Sequence, residues 1–135
     1  AARGFGAFAG GSRLKVSGIS DLAEAQVFHG SLGGVEADSV PAGLLTLVRS
    51  SGRQRGFGDF YQHVLVAEGA GEVSVDPALA PWDAGPLPII VEEAGGRATS
   101  IRGEKSIYAG SLVCTNGQLH DVVLNLLQDD PEPGA

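Results

Sequence analysis

The sequence predicts an α/β fold, in which amphipathic helices alternate with short buried strands. Residues 87–94 place apolar side chains at three- and four-residue spacing, which is the pattern of a helix with one buried face. Residues 71–77 alternate in polarity and residues 112–115 form a short apolar run, as strands do. The chain of 135 residues, of which 43% are hydrophobic and 19% charged, is long enough to bury one core.

The first 16 residues predict a β-hairpin. Two short strands flank Gly10-Gly11, a pair that favours a tight turn. Glycine-rich stretches of this kind also occur in dinucleotide sites. Here no continuous Gly-x-Gly-x-x-Gly occurs and no helix follows, so a dinucleotide site is not predicted.

The next elements are short. A helical turn at 21–24 precedes a strand at 25–29, and a polar, glycine-rich loop covers 31–42. Leucines and a valine between residues 44 and 48 predict a helix that ends near residues 50–52. The basic run 53–55 is typical of a solvated loop face, and attraction of a phosphate is the alternative.

A second helix is predicted after Gly56-Phe57-Gly58-Asp59. Asp59 is a candidate N-cap, and the helix is expected to bury Phe60, Val64 and Ala67 and to end at Gly69. Glycine at position 58 would let another group approach the backbone closely.

The centre of the chain predicts a helix that begins near Gly85 or Pro86 and ends at Gly95-Gly96, because proline suits the first turn and glycine the C-cap. The expected apolar face consists of Leu87, Ile90, Val91 and Ala94. Asp83 would lie just ahead of the N-terminus, where the helix dipole keeps a carboxylate ionised and ready to cap the backbone or to hold a cation.

Two strands, at 97–101 and 112–115, and a helix at 118–128 complete the predicted core. The helix is expected to bury one apolar side: Leu119, Val122, Val123, Leu126 and Leu127. Residues 129–135 form an acidic tail, which we expect to be disordered.

The composition narrows the possible functions. With 9 basic and 16 acidic residues the net charge is −7, which disfavours binding to nucleic acid and is compatible with metal binding. No apolar run has the length of a membrane span and no secretory leader is recognisable, so we expect no membrane association. The single cysteine, Cys114, excludes an internal disulfide and fits a cytoplasmic location, and we expect it to be buried in a strand.

Trp82-Asp83, followed by a helix and by Val91-Glu92-Glu93-Ala94-Gly95-Gly96, resembles the C-terminal signature of the inositol monophosphatase family of Mg²⁺-dependent phosphomonoesterases. The hairpin is also similar to one in that family, and the segment around Asp59 resembles the histidinol-phosphatase-like branch. The resemblance implies a layered sandwich with a mixed sheet flanked by helices. On this interpretation residues 1–16 are a hairpin of the N-terminal half, 17–128 the C-terminal α/β domain and 129–135 the tail.

The resemblance also implies roles for individual residues. Asp83 would bind Mg²⁺, while Asp59, Asp76, Gly58 and Ser31 would bind a small phosphorylated alcohol, either histidinol phosphate or inositol phosphate. Each has a purely structural alternative: a helix cap for Asp83 or Asp59, a turn opener for Asp76 before Pro77, and a turn serine for Ser31.

Two metal-binding elements of the family are missing from this sequence. The family's other metal carboxylates lie in a Gly-x-x-Glu and an Asp-Pro-x-Asp-Gly-Thr element, whereas here Asp76-Pro77 is followed by Ala78 and no Asp-Gly-Thr occurs. One carboxylate is too few to hold Mg²⁺ in water. We therefore expect the chain to be a C-terminal fragment, inactive alone, whose exposed edge favours a homo-dimer. The alternative is a binding or assembly module without catalysis.

Overall fold

A computed structural model describes residues 1–33 and 39–128, and it confirms an α/β fold with a mixed five-stranded sheet. The strands, in spatial order, are Arg53–Gly56 (β4), Gln26–His29 (β3), Val73–Asp76 (β5), Leu112–Thr115 (β7) and Arg97–Thr99 (β6). Strand β3 pairs parallel with β4 and with β5, whereas β5–β7 and β7–β6 are antiparallel.

Helices cover both faces of this sheet. They are Gly43–Ser50 (α1), Tyr61–Ala67 (α2), Pro81–Ala84 (α3), Leu87–Glu93 (α4) and His120–Gln128 (α5), with a 3₁₀ turn at Leu22–Glu24. Helices α1 and α5 pack together on one face, and α2 and α4 pack together on the other. None of the described helices has the length and apolar composition that crossing a membrane requires.

Successive side chains of each strand point to opposite faces of the sheet, so the strands contribute to two separate cores. Val73 and Val75 in β5 and Val113 in β7 point into the cluster under α1 and α5. Leu112 and Cys114 point to the opposite side, into the cluster with Leu87, Val91 and Ala94 of the α4 segment. The predicted burial of Cys114 and of the main part of the α4 stripe is confirmed.

The N-terminal hairpin is also confirmed. Strands Phe8–Ala9 (β1) and Ser12–Arg13 (β2) pair antiparallel around Gly10-Gly11, which both have positive φ. The segment before them is attached to α4: Arg3 Nη1 lies 2.7 Å from Glu92 Oε2, and the Gly6 N–H donates to Glu93 Oε1 at 2.9 Å. Hydrogen bonds from the Gly6 and Gly4 backbones lower the pKa of Glu93.

Three local predictions are wrong. Residues 53–55 belong to the edge strand β4 and not to a loop, because an edge strand tolerates charged side chains that reach solvent. Phe60 is 62% exposed and Val122 is 42% exposed, although both were expected in the core. The tail 129–135 and residues 34–38 of the predicted loop lie outside the described residues.

Candidate active site

A cavity of about 670 Å³ opens where β3, β4 and β5 end. His29, Gly56 and Asp76 are the last residues of these three strands, and all three line the cavity. Ligand sites of open α/β sheets lie outside the carboxyl ends of the strands, because the loops that follow them converge there. The remaining lining residues are Gly30, Ser31, Phe57, Gly58, Asp59, Ala78, Leu79, Ala80 and Asp83.

All five residues predicted to form a site line this one cavity. Ser31, Gly58, Asp59, Asp76 and Asp83 come from three segments that follow or end the strands β3, β4 and β5 and are distant in sequence. Their convergence follows from the parallel pairing of β3 with both β4 and β5, which carries the three strand ends to the same edge of the sheet.

Asp76 is the most buried of the three cavity aspartates, with 6% of its surface exposed. Its Oδ1 accepts a long hydrogen bond from the Ala78 N–H at 3.4 Å, as expected for an Asp that opens a turn. Gly30 lies opposite, and a Cβ atom there would stand 3.5 Å from Asp76 Oδ1. A side chain larger than a methyl group at position 30 would therefore cover this carboxylate.

Asp59 and Gly58 both have left-handed backbone conformations, with φ of 54° and 77°. This region suits glycine but is uncommon for other residues, and residues held there often lie at functional sites. The prediction that Asp59 caps α2 is wrong, because Phe60 occupies the N-cap position and the helix has no capping hydrogen bond from a side chain. The Asp59 side chain is exposed at the cavity.

Asp83 lies ahead of α4, as predicted, but it belongs to a separate short helix, in the first turn of α3. The chain makes the four-residue helix α3 with Pro81 in its first turn, and α4 begins only at Leu87. A helix this short has few aligned peptide dipoles, so its field on the Asp83 carboxylate is weak. The side chain is exposed.

The described residues alone do not fit Mg²⁺. Within residues 1–33 and 39–128, no group of three or more His, Cys, Asp or Glu side chains is arranged to hold a metal ion. Mg²⁺ requires oxygen ligands in near-octahedral geometry, and Asp59, Asp76 and Asp83 are not grouped closely enough to supply it.

The electrostatics of the cavity are acidic. Its lining contains three aspartates, and none of the described lining residues is lysine or arginine. A phosphate entering this cavity would be repelled unless a cation accompanied it.

Among the lining residues that the sequence did not predict are His29 and Phe57, which both carry rings. His29 Nδ1 lies 3.0 Å from the Gly30 carbonyl oxygen, so the imidazole at the end of β3 is bonded to the backbone. The Phe57 ring packs on Phe28 at 5.6 Å and edge-on against Tyr61 at 5.7 Å, measured between centroids. An aromatic residue between two glycines at a strand end is the signal that could have indicated Phe57.

Comparison with known proteins agrees with this geometry. The sequence model of the inositol monophosphatase family matches residues 1–132. The chain is 42% identical over 132 residues to the histidinol-phosphatase of Mycobacterium tuberculosis, covering 94% of this chain and 51% of that protein. It is 39% identical over 127 residues to the histidinol-phosphatase of Streptomyces coelicolor, covering 90% and 48%.

Among solved structures, the inositol monophosphatase from Anabaena (Nostoc) sp. superposes with a TM-score of 0.84 at 26% identity, covering 96% of this chain and 53% of that one. The chain therefore spans about half the length of the relatives it matches.

Proposed function

The chain belongs to the inositol monophosphatase family, and from this premise we propose that it is the C-terminal portion of a Mg²⁺-dependent phosphomonoesterase acting on a small phosphorylated alcohol. The observation that carries the proposal is the single cavity that collects Asp59, Asp76 and Asp83. Phosphatases of this kind need cations to neutralise the phosphate oxygens and to activate water.

Within this proposal Asp83 is one metal ligand, and the ligands that complete the site come from outside residues 1–135. The acidic lining supports a metal requirement, because it offers a phosphate no basic side chain among the described residues. It follows that the 135-residue chain alone should release no phosphate.

We propose histidinol phosphate as the substrate, with inositol phosphate as the alternative. Three relatives with about 40% identity are histidinol-phosphatases, whereas a fructose-1,6-bisphosphatase/inositol-1-monophosphatase of Thermotoga maritima is 31% identical. Histidinol carries an amine and an imidazole, and a carboxylate such as Asp59 or Asp76 complements a cationic leaving group. Gly58 and Ser31 would approach the same part of the substrate.

The proposal can be tested in a chimera that joins the N-terminal half of the Mycobacterium tuberculosis histidinol-phosphatase to residues 1–132 of this chain. We expect Mg²⁺-dependent release of phosphate from histidinol phosphate. Asp83→Asn should lower kcat/KM by about 100-fold or more, since losing a metal ligand forfeits several kcal/mol of charge stabilisation.

The matched control is Asp121→Asn. Asp121 is 84% exposed and lies on α5 in a surface pair with Arg97, outside the cavity. Its replacement should leave the activity unchanged. Full activity of the Asp83→Asn chimera would refute the metal role.

The second candidate function is a binding or assembly module without catalysis, and the incomplete metal-ligand set of the described residues favours it. Calorimetric titration of the chimera with Mg²⁺ separates the two. Saturable binding that Asp83→Asn abolishes would count against a purely structural role for this aspartate, whereas a catalytically competent chimera would remove the second candidate.

A further inference from the structure

We propose that Gln62 is a positioning residue, which fixes the segments carrying Ser31, Asp59 and Asp76 relative to one another. The proposal rests on the function proposed above for the cavity. It concerns a side chain that does not line the cavity and that no resemblance assigned.

The geometry centres on one carbonyl group. Gln62 lies in α2 with 0% of its surface exposed, and its Nε2 donates to the Val75 carbonyl oxygen at 3.3 Å. The same oxygen accepts the Gly30 N–H at 3.2 Å. Gly30 precedes Ser31, and Val75 precedes Asp76. The carbonyl of Val75 therefore joins two strand ends to the first turn of α2.

Helix α2 extends this restraint to the segment that carries Asp59. Asp59 lies three residues before Gln62, and its left-handed backbone leads directly into α2. His63, the next residue, places its Nδ1 2.7 Å from Ser74 Oγ in β5. The first turn of α2 is thus attached to β5 by two consecutive buried side chains, which sets the place of Asp59 opposite Asp76.

The fold alone does not favour glutamine at this position. Gln62 Oε1 is buried and has no hydrogen-bond partner among the described residues. Exchanging the amide nitrogen and oxygen would not help, because the oxygen would then face the Val75 carbonyl. A buried acceptor without a partner destabilises a fold, whereas an apolar side chain of similar shape avoids that cost. Retention of the amide is explained if its Nε2 serves the cavity.

The first test uses the full chain and the variant Gln62→Met, which keeps the length of the side chain and removes both polar atoms. We expect the urea midpoint to be unchanged or raised, while the amides of His63 and Val64 exchange with solvent about tenfold faster. Both amides bond to the Phe60 carbonyl in the first turn of α2, at 3.1 and 3.2 Å.

Gln54→Met is the matched control. Gln54 Nε2 also donates to a main-chain carbonyl, that of Ser51 at 3.1 Å, but Gln54 lies in β4 outside the cavity. This substitution should leave the exchange of the α2 amides unchanged. Unaltered exchange in Gln62→Met itself would overturn the proposal.

The second test measures kinetics in the chimera described above. Gln62→Met should lower kcat about tenfold and change KM less than twofold, because misplaced catalytic groups slow the reaction more than they weaken binding. A loss of stability and activity in parallel would indicate a purely structural role and overturn the proposal. If the unsubstituted chimera releases no phosphate, the proposed function fails, and the exchange measurement alone decides the role of Gln62.

Discussion

Each face of the sheet buries one histidine, and the two are satisfied to different degrees. Under α5, His120 contacts two threonine hydroxyls, with Nε2 at 2.8 Å from Thr99 Oγ1 and Nδ1 at 3.0 Å from Thr115 Oγ1. Under α2, His63 makes one short contact, to Ser74, and its Nε2 lies 3.5 Å from the Gln62 amide.

The hydroxyl partners fix the protonation of His120. Thr99 donates its hydroxyl hydrogen to the Ser100 carbonyl oxygen, so it must accept from His120 Nε2–H, and Thr115 then donates to Nδ1. No such closed arrangement exists around His63, where a neighbouring amide oxygen stays unpaired among the described residues. His120 is therefore fully hydrogen-bonded, whereas the α2 side keeps an unpaired buried acceptor, a cost that function can explain.

The largest effect should follow Gly43→Ala, on the α1/α5 face. A Cβ atom there would overlap the Leu126 carbonyl oxygen of α5, and backbone cannot yield as a flexible side chain can. We expect a loss of about 3 kcal/mol in the free energy of unfolding. Gly30→Ala at the cavity should cost less than about 0.5 kcal/mol, because its Cβ would meet Asp76 at ordinary contact distance.

Urea unfolding of both variants checks this contrast. Gly18→Ala serves as control, since nothing lies within 4 Å of a Cβ at that position. Equal losses in the free energy of unfolding at positions 43 and 30 would contradict the idea that the α1/α5 face is packed more tightly than the cavity.

The next largest effect should distinguish the two histidines. His120→Leu leaves the Thr115 hydroxyl without the acceptor it has now, and we expect a cost of about 2 kcal/mol. His63→Leu should cost about 1 kcal/mol, because fewer good hydrogen bonds are lost. The free energies of unfolding, measured at pH 7.5 where both side chains are neutral, test the order; a larger cost at position 63 would reverse the comparison.

The last effect concerns pH; it is small near pH 6.5 and grows as the pH falls. Burial lowers the pKa of His63 to about 3 and that of His120 to about 4, from an ordinary value of 6.5. The unfolded chain thus binds protons that the folded chain does not. The stability from each neutral imidazole is complete above pH 6.5 and is lost as the pH falls, by about 1.4 kcal/mol per pH unit.

This loss should continue to about pH 4 for His120 and to about pH 3 for His63. Unfolding curves of the parent and of each leucine variant, at several pH values between 6.5 and 4, give the slope of the free energy of unfolding against pH. Each variant should have a shallower slope than the parent. Slopes that coincide would mean that the two imidazoles are not held neutral.

The sequence was sufficient for those features that depend on local chemistry. Gly95 adopts a φ of 98° after α4, as expected of a glycine at a helix C-terminus, and Leu87 and Val91 point into the core. The convergence of the predicted site residues on one cavity could be expected, because Ser31, Asp59 and Asp76 each lie at the end of a strand or soon after it.

Features that depend on distant partners could not be predicted. Phe60 was expected in the core as the first residue of a helix capped by Asp59. The helix begins at Tyr61, and its buried face includes Gln62 and His63. A pattern of apolar spacing gives no reason to bury these two polar side chains. Their burial depends on the Val75 carbonyl and the Ser74 hydroxyl, which only the fold brings near.

The single cysteine gives this chain a built-in probe of its own unfolding. Cys114 is fully buried in β7, and burial raises the pKa of its thiol, so the reactive thiolate does not form in the folded state. An alkylating reagent should modify the chain only when the central strands separate. The rate of labelling therefore measures the opening of the sheet without any engineered label, and it would report which of the substitutions above loosens the core.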